Sequence, residues 1–150
     1  MSQPRRQVGG ALVVGALLIA SASGCGDRKK VQECRALITV INGGVEQISA
    51  GTKGARDGGA AVGELRDLAT AMDTVAKAAA KVELEDLGLK KLAKGYRDMV
   101  AEVAAAAREL ATAVDKVDIE KMKKAQRRMD KAVSREGPIV DDLNKHCQEP

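Results

Sequence analysis

Apolar residues recur along this chain at intervals of three and four. Val31, Cys34, Ile38, Ile41, Val45 and Ile48 make one such row. Leu65, Leu68, Met72, Val75, Ala79 and Val82 make a second. The third is the longest: Leu89, Leu92, Tyr96, Met99, Val103, Ala106, Leu110, Ala113 and Val117. The fourth runs Ile119, Met122, Gln126, Met129, Val133, Glu136, Val140, Leu143 and Cys147, with Gln126 and Glu136 as polar exceptions. A period near 3.6 puts each row on one face of an α-helix, and such faces form the buried seam of a helical bundle. The rows therefore predict an all-α fold, an antiparallel up-down-up-down four-helix bundle. Each helix spans about 22 to 30 residues, roughly 33 to 45 Å.

One stretch reads two ways. Leu37 to Val45 resembles a strand that enters an Asn-Gly hairpin at Asn42-Gly43. The following Val45-Glu46-Gln47-Ile48 does not alternate, and the helical phase continues across Gly43-Gly44, so a helix with a bend there is expected. The breaks are plainer. Gly51 to Gly59 is glycine-rich and is expected to be a loop. Glu85-Asp86-Leu87-Gly88 is a short turn. Val117-Asp118 is the tightest joint, with Asp118 placed to cap the fourth helix. Pro138 cannot donate to the carbonyl four residues back, so a kink or restart is expected at Gly137-Pro138, with Asp141 and Asp142 in the new first turn.

The first residues follow another logic. Arg5 and Arg6 precede Val8 to Ala20, thirteen residues without a charge. A spanning helix needs about 20. A basic start, a short apolar run and then small residues make a secretory signal peptide. Pro4 and Gln7-Val8-Gly9 fit a twin-arginine motif poorly, which favours the general export route. The small residues end in Ala22-Ser23-Gly24-Cys25, which resembles the lipobox of bacterial lipoproteins, with Ala22 where Leu is usual. The resemblance implies cleavage before Cys25, acylation of Cys25 by palmitate-like chains, and attachment to a membrane of the bacterial cell envelope. An ordinary signal peptide that happens to contain Cys25, or a retained signal anchor, are the alternatives. In that class an Asp directly after the Cys marks inner-membrane retention; here Gly26 follows it, which favours the outer membrane. Residues 1–24 are thus read as the signal peptide and 25–150 as the bundle domain.

Export changes what the other cysteines mean. With Cys25 acylated, Cys34 and Cys147 remain, and an oxidising compartment favours their pairing as a disulfide. In an up-down-up-down bundle the start of the first helix and the end of the fourth meet, which brings the two together. Two separate buried thiols are the alternative. No metal site is expected, because His146 is the sole histidine and no CxxC or HxxxH spacing accompanies it.

Composition narrows the function by exclusion. Phe and Trp are absent and Tyr96 is the one tyrosine among the 150 residues, which counts against aromatic stacking on sugars, single strands or flavins. A net charge of +4 is mild, and export also argues against nucleic acid as a partner. No phosphate-binding glycine motif, haem-attachment motif or di-iron Glu-x-x-His pattern occurs, so neither catalytic residues nor a cofactor are expected. The carboxylates Glu83, Glu85 and Asp86 sit at a turn and read as a solvated helix end. The unusual surface feature is basic: Lys121, Lys124, Arg128, Lys131 and Arg135 recur at 3, 4, 3 and 4, flanked by Lys123 and Arg127. Offset from the seam by about 200°, they face solvent. They suit an anionic surface or an acidic envelope protein, or are simply a solvated face. The sequence thus favours a lipid-anchored, non-enzymatic binding or scaffolding protein. The alternative is a small-ligand or metal carrier with a pocket lined by Met72, Met99, Met122 and Met129.

Overall fold

The computed structural model describes residues 25–56 and 61–148. The signal-peptide reading of residues 1–24 lies outside the described residues. Among the described residues five helical segments follow one another: α1 (Cys25–Arg56), α2 (Val62–Ala80), α3 (Leu87–Asp115), α4 (Ile119–Val133) and α5 (Glu136–Gln148). No strand occurs among the described residues. α4 and α5 make one bent fourth helix, and the fold is an all-α four-helix bundle. α2 lies against α1 and α3, α4 against α3, and α5 against both α3 and α1.

Local chemistry starts and stops these helices. Glu64 reaches back from the first turn of α2 to accept from the Ala61 amide at 3.0 Å. Asp86 caps α3 by accepting from Leu89 N at 2.8 Å, and Asp118 caps α4 by accepting from Lys121 N at 3.0 Å. Each carboxylate satisfies an amide that the helix leaves unpaired and sets negative charge at the positive end of the helix dipole. The fourth helix breaks at Ser134-Arg135, three residues earlier than Gly137-Pro138. Pro138 then lies in the first turn of α5, where its missing N–H is no loss. Glu136, not Asp141 or Asp142, supplies the first-turn acid.

α1 runs unbroken through Gly43-Gly44, so the hairpin is not formed. It also continues through the expected glycine loop as far as Arg56. The reason is packing. A Cβ at Gly51 would run into the Leu68 side chain of α2, so this glycine is a point of close helix approach. The neighbouring Thr52 is buried and satisfies its hydroxyl on the Ile48 carbonyl at 2.7 Å.

The core departs from the expected rows in three places. In α1 the buried row is Cys34, Leu37, Ile41, Gly44 and Ile48; Ile38 and Val45 are half-buried and Val31 is 44% exposed. In the fourth helix the wholly buried residues are Ala125, Met129, Ala132 and Leu143. Met122, Gln126, Val133, Glu136, Val140 and Cys147 are half-buried at the edges, and Ile119 is exposed. Small alanines face α3, which lets the two backbones approach while larger side chains close the flanks. α3 itself buries two faces, adding Ala93, Val100, Ala104, Ala107 and Ala111 to the expected row, because it packs between α2 and the fourth helix. Val117 ends that row in solvent.

Candidate functional site

Two regions carry polar chemistry: the outer surface of α4 and the end of the bundle where α1 begins and α5 ends. On α4, Lys121, Lys124, Arg128, Lys131 and Arg135 are all exposed. The structure nevertheless divides them. Arg128 pairs with Glu102 and Glu109 of α3, and Arg135 pairs with Glu102. Lys121 turns back to its own cap Asp118 at 2.8 Å. Those three are tied to carboxylates. Exposed pairs of this kind contribute about 0–1 kcal/mol, so their main effect is to orient and neutralise. Lys124 and Lys131 have no carboxylate partner among the described residues, nor has the flanking Arg127. At spacings of three and four, Lys124, Arg127 and Lys131 share one outward row. The row that faces outward uncompensated therefore contains Arg127 where the sequence placed Arg128.

At the other end, Cys34 of α1 and Cys147 of α5 stand with Cα atoms 5.9 Å apart and sulfurs at bonding distance, a span that suits a disulfide. Around them lies a hydrogen-bonded cluster that sequence reasoning missed. Glu33 is buried, and its carboxylate accepts from the backbone amides of Glu85 and Asp86 at 3.0 and 3.1 Å. Asp86 accepts from His146 Nε2 at 2.8 Å as well as from Leu89. The Leu89 amide and, after it, the His146 contact hold the Asp86 carboxyl below the usual range, against the opposing pull of desolvation. An ionised carboxylate can only accept, so Nε2 carries the proton. The imidazole lies over Gly88, where a Cβ would meet the ring. Lys29 pairs with Glu85 on the rim. The cluster fastens α1, the α2–α3 turn and the end of α5 to one another; Glu83 stays exposed, outside it. Its one sequence signal was Asp86 three residues before Leu89, a cap pattern.

Besides these two regions, a polar spot lies inside the bundle. Tyr96 is wholly buried and donates to the Ile41 carbonyl at 3.2 Å. Glu136 turns Oε1 into the protein without a hydrogen-bond partner, and burial pushes its carboxyl up from the ordinary 4.5. Glu136 and Asp86 therefore act on stability in opposite senses. A raised carboxyl favours folding below the unfolded-state value and loses that contribution as pH rises through the folded one. A depressed carboxyl contributes above the unfolded-state 3.8 and loses it as pH falls. Glu136→Gln is expected to raise the melting temperature at neutral pH and to match the parent well below pH 4.5. Asp86→Asn, which keeps a capping side chain, is expected to lower it at neutral pH and to converge in acid. Thermal melts across pH check both, and curves for Glu136→Gln that follow the parent throughout would place that carboxyl in water.

Met72, Met99 and Met129 are wholly buried in the core and Met122 packs half-buried against it. They fill space rather than line an opening. The open grooves between α1 and α2 and between α3 and α4 are lined by other residues. Among the described residues no group of three or more His, Cys, Asp or Glu is placed to hold a metal ion. No helix among them is long and apolar enough to cross a membrane. Compared with protein-family models, curated proteins and solved structures, the chain finds no match.

Proposed function

We propose that this protein is a lipid-anchored, non-enzymatic component of the bacterial cell envelope. Residues 1–24 direct its export, Cys25 carries the lipid, and the bundle serves as a binding or scaffolding surface. The observation that carries the reading is the junction at Cys25. From Cys25, which closes the lipobox-like Ala22-Ser23-Gly24-Cys25, the chain is continuous helix into the bundle, so a helical stretch joins anchor to bundle. The same end of the bundle exposes Leu87, 80% accessible, together with Arg28, Lys90 and Lys91. An apolar tip among cations suits a bilayer surface. Each buried methylene of an acyl chain contributes about 0.8 kcal/mol, so two or three chains hold the protein firmly. Gly26 after the cysteine favours the outer membrane of a bacterium that has one. In that oxidising compartment Cys34 and Cys147 form a disulfide.

The test is acylation. Expressed in bacteria fed labelled palmitate, the protein is expected to take up label and to fractionate with membranes. Cys25→Ala is expected to do neither. Equal labelling of the two proteins would overturn the reading, and release of a trimmed, unlabelled parent protein would assign an ordinary signal peptide instead.

A further inference from the structure

The turn between α3 and α4 lies at the end of the bundle away from Cys25, and its conformation is unusual. Val117 N donates to the Val114 carbonyl at 3.0 Å and Asp118 N to the Ala113 carbonyl at 2.9 Å. This pair of bonds is the Schellman ending of a helix, with Val117 at the left-handed position, φ 51°. Glycine is customary there, because a β-branched side chain is strained in left-handed backbone. The turn has no need of the valine: its hydrogen bonds are all backbone, and Asp118 goes on to cap α4. Nor does the side chain repay the strain by packing, since Val117 is 75% exposed. Ile119, two residues on, is 53% exposed. Two apolar side chains thus stand in water at the corner, one of them held there against its backbone preference.

Cations surround that corner. Ile119, Lys123 and Arg127 follow one another at intervals of four along one face of α4. Lys124, Arg127 and Lys131 form the uncompensated outward row, and Lys116 closes α3 just before the turn. The nearby acids are occupied: Asp118 by Lys121 and the cap, Glu120 by Lys123, Glu109 by Arg128. Asp130 also lies on α4 and has interactions of its own.

We propose that the α3–α4 corner is a second membrane contact, which inserts Val117 and Ile119 into an anionic phospholipid surface while Lys116, Lys124, Arg127 and Lys131 meet the headgroup phosphates. An apolar tip ringed by long, flexible cations matches a bilayer, where the tip enters the acyl boundary and the charges stay at headgroup level. The inference rests on the envelope reading only for the presence of a membrane nearby, and its test leaves the acyl anchor out.

The protein used is the chain from residue 25 to residue 150 with Cys25→Ser, which retains all five helical segments and the Cys34–Cys147 pair. It is mixed with vesicles of equal parts phosphatidylglycerol and phosphatidylcholine, or of phosphatidylcholine alone. The chain has no Trp, so in Ile119→Trp the indole emission reports that position alone. Its emission is expected to shift to the blue and to be quenched by bromine-labelled acyl chains in the anionic vesicles. Val117→Gly is expected to melt at a higher temperature than the parent yet bind the anionic vesicles about tenfold more weakly. Lys124→Gln and Lys131→Gln are each expected to weaken binding about fivefold at low salt. Three results would overturn the proposal: an unshifted indole emission from vesicle-bound Ile119→Trp protein, Val117→Gly binding as tightly as the parent, or equal affinity for neutral vesicles. Failure of palmitate labelling at Cys25 would leave this contact intact, which keeps the two readings separate.

Discussion

Reducing the Cys34–Cys147 bridge is expected to lower the free energy of unfolding by about 4 kcal/mol. The two cysteines lie 113 residues apart, so the bridge closes nearly the whole bundle into one loop. Most of the effect comes from the unfolded chain, whose freedom the closure restricts, and a long loop restricts it most. Part comes from the native state. α5 is short, and Leu143 is its single wholly buried residue. Besides the bridge, the His146–Asp86 hydrogen bond and half-buried contacts at Ile139 and Val140 hold it in place. Denaturant titrations of the oxidised protein, of the reduced protein and of Cys34→Ser/Cys147→Ser are expected to separate into one stable and two weaker curves. The double variant is expected to ignore reductant. Hydrogen exchange is expected to rise first in α5 on reduction, before the α2–α3 pair opens. Superimposable titrations with and without reductant would show that the two thiols are not joined.

The fold was legible where one face of a helix is unambiguously apolar. In α2, Leu65, Leu68, Met72, Val75 and Ala79 are buried as expected, because only alanines compete beside them, while Val82, past the helix end, is half-buried. In α1 the adjacent Leu37 and Ile38 are equally apolar, and the pattern alone chooses the wrong one. What decides is the partner across the bundle: Tyr96 lies against Gly44, and that fixes the rotation of α1. α4 was misread for a related reason. Its contact with α3 is built on Ala125 and Ala132, which look neutral in a hydropathy pattern yet allow close approach. The meeting of Cys34 with Cys147 was legible because it needs connectivity alone. The exposure of the basic row was legible too, from its offset around the helix. Which of its charges are neutralised was not, since that depends on where α3 places Glu102 and Glu109. The same holds for Asp86 and His146, 60 residues apart, which meet only because two helix ends share one end of the bundle.

Two neighbouring glycines in α1 are expected to respond to the same substitution in opposite directions. Gly43→Ala should stabilise the protein by about 1 kcal/mol, because the position is exposed, lies within a helix, and has nothing within reach of a new methyl group. Gly44→Ala should destabilise it by about 3 kcal/mol, despite the same gain in helix propensity. Its Cβ would collide with the Tyr96 hydroxyl and stand 2.7 Å from Val75 Cγ1. Neither neighbour can move easily. Tyr96 is wholly buried and tied through its hydroxyl to the Ile41 carbonyl, and Val75 is held in the core by α2. A double-mutant cycle tests the cause. Tyr96→Phe alone removes one hydrogen bond and should cost about 1 kcal/mol. Combined with Gly44→Ala it also removes the atom that the methyl strikes, so the pair should cost less than the sum of the singles, with Val75 limiting the recovery. Additive losses, or a Gly44→Ala protein as stable as Gly43→Ala, would mean that α1 does not approach α3 at this point and that the rotation assigned to the first helix is wrong.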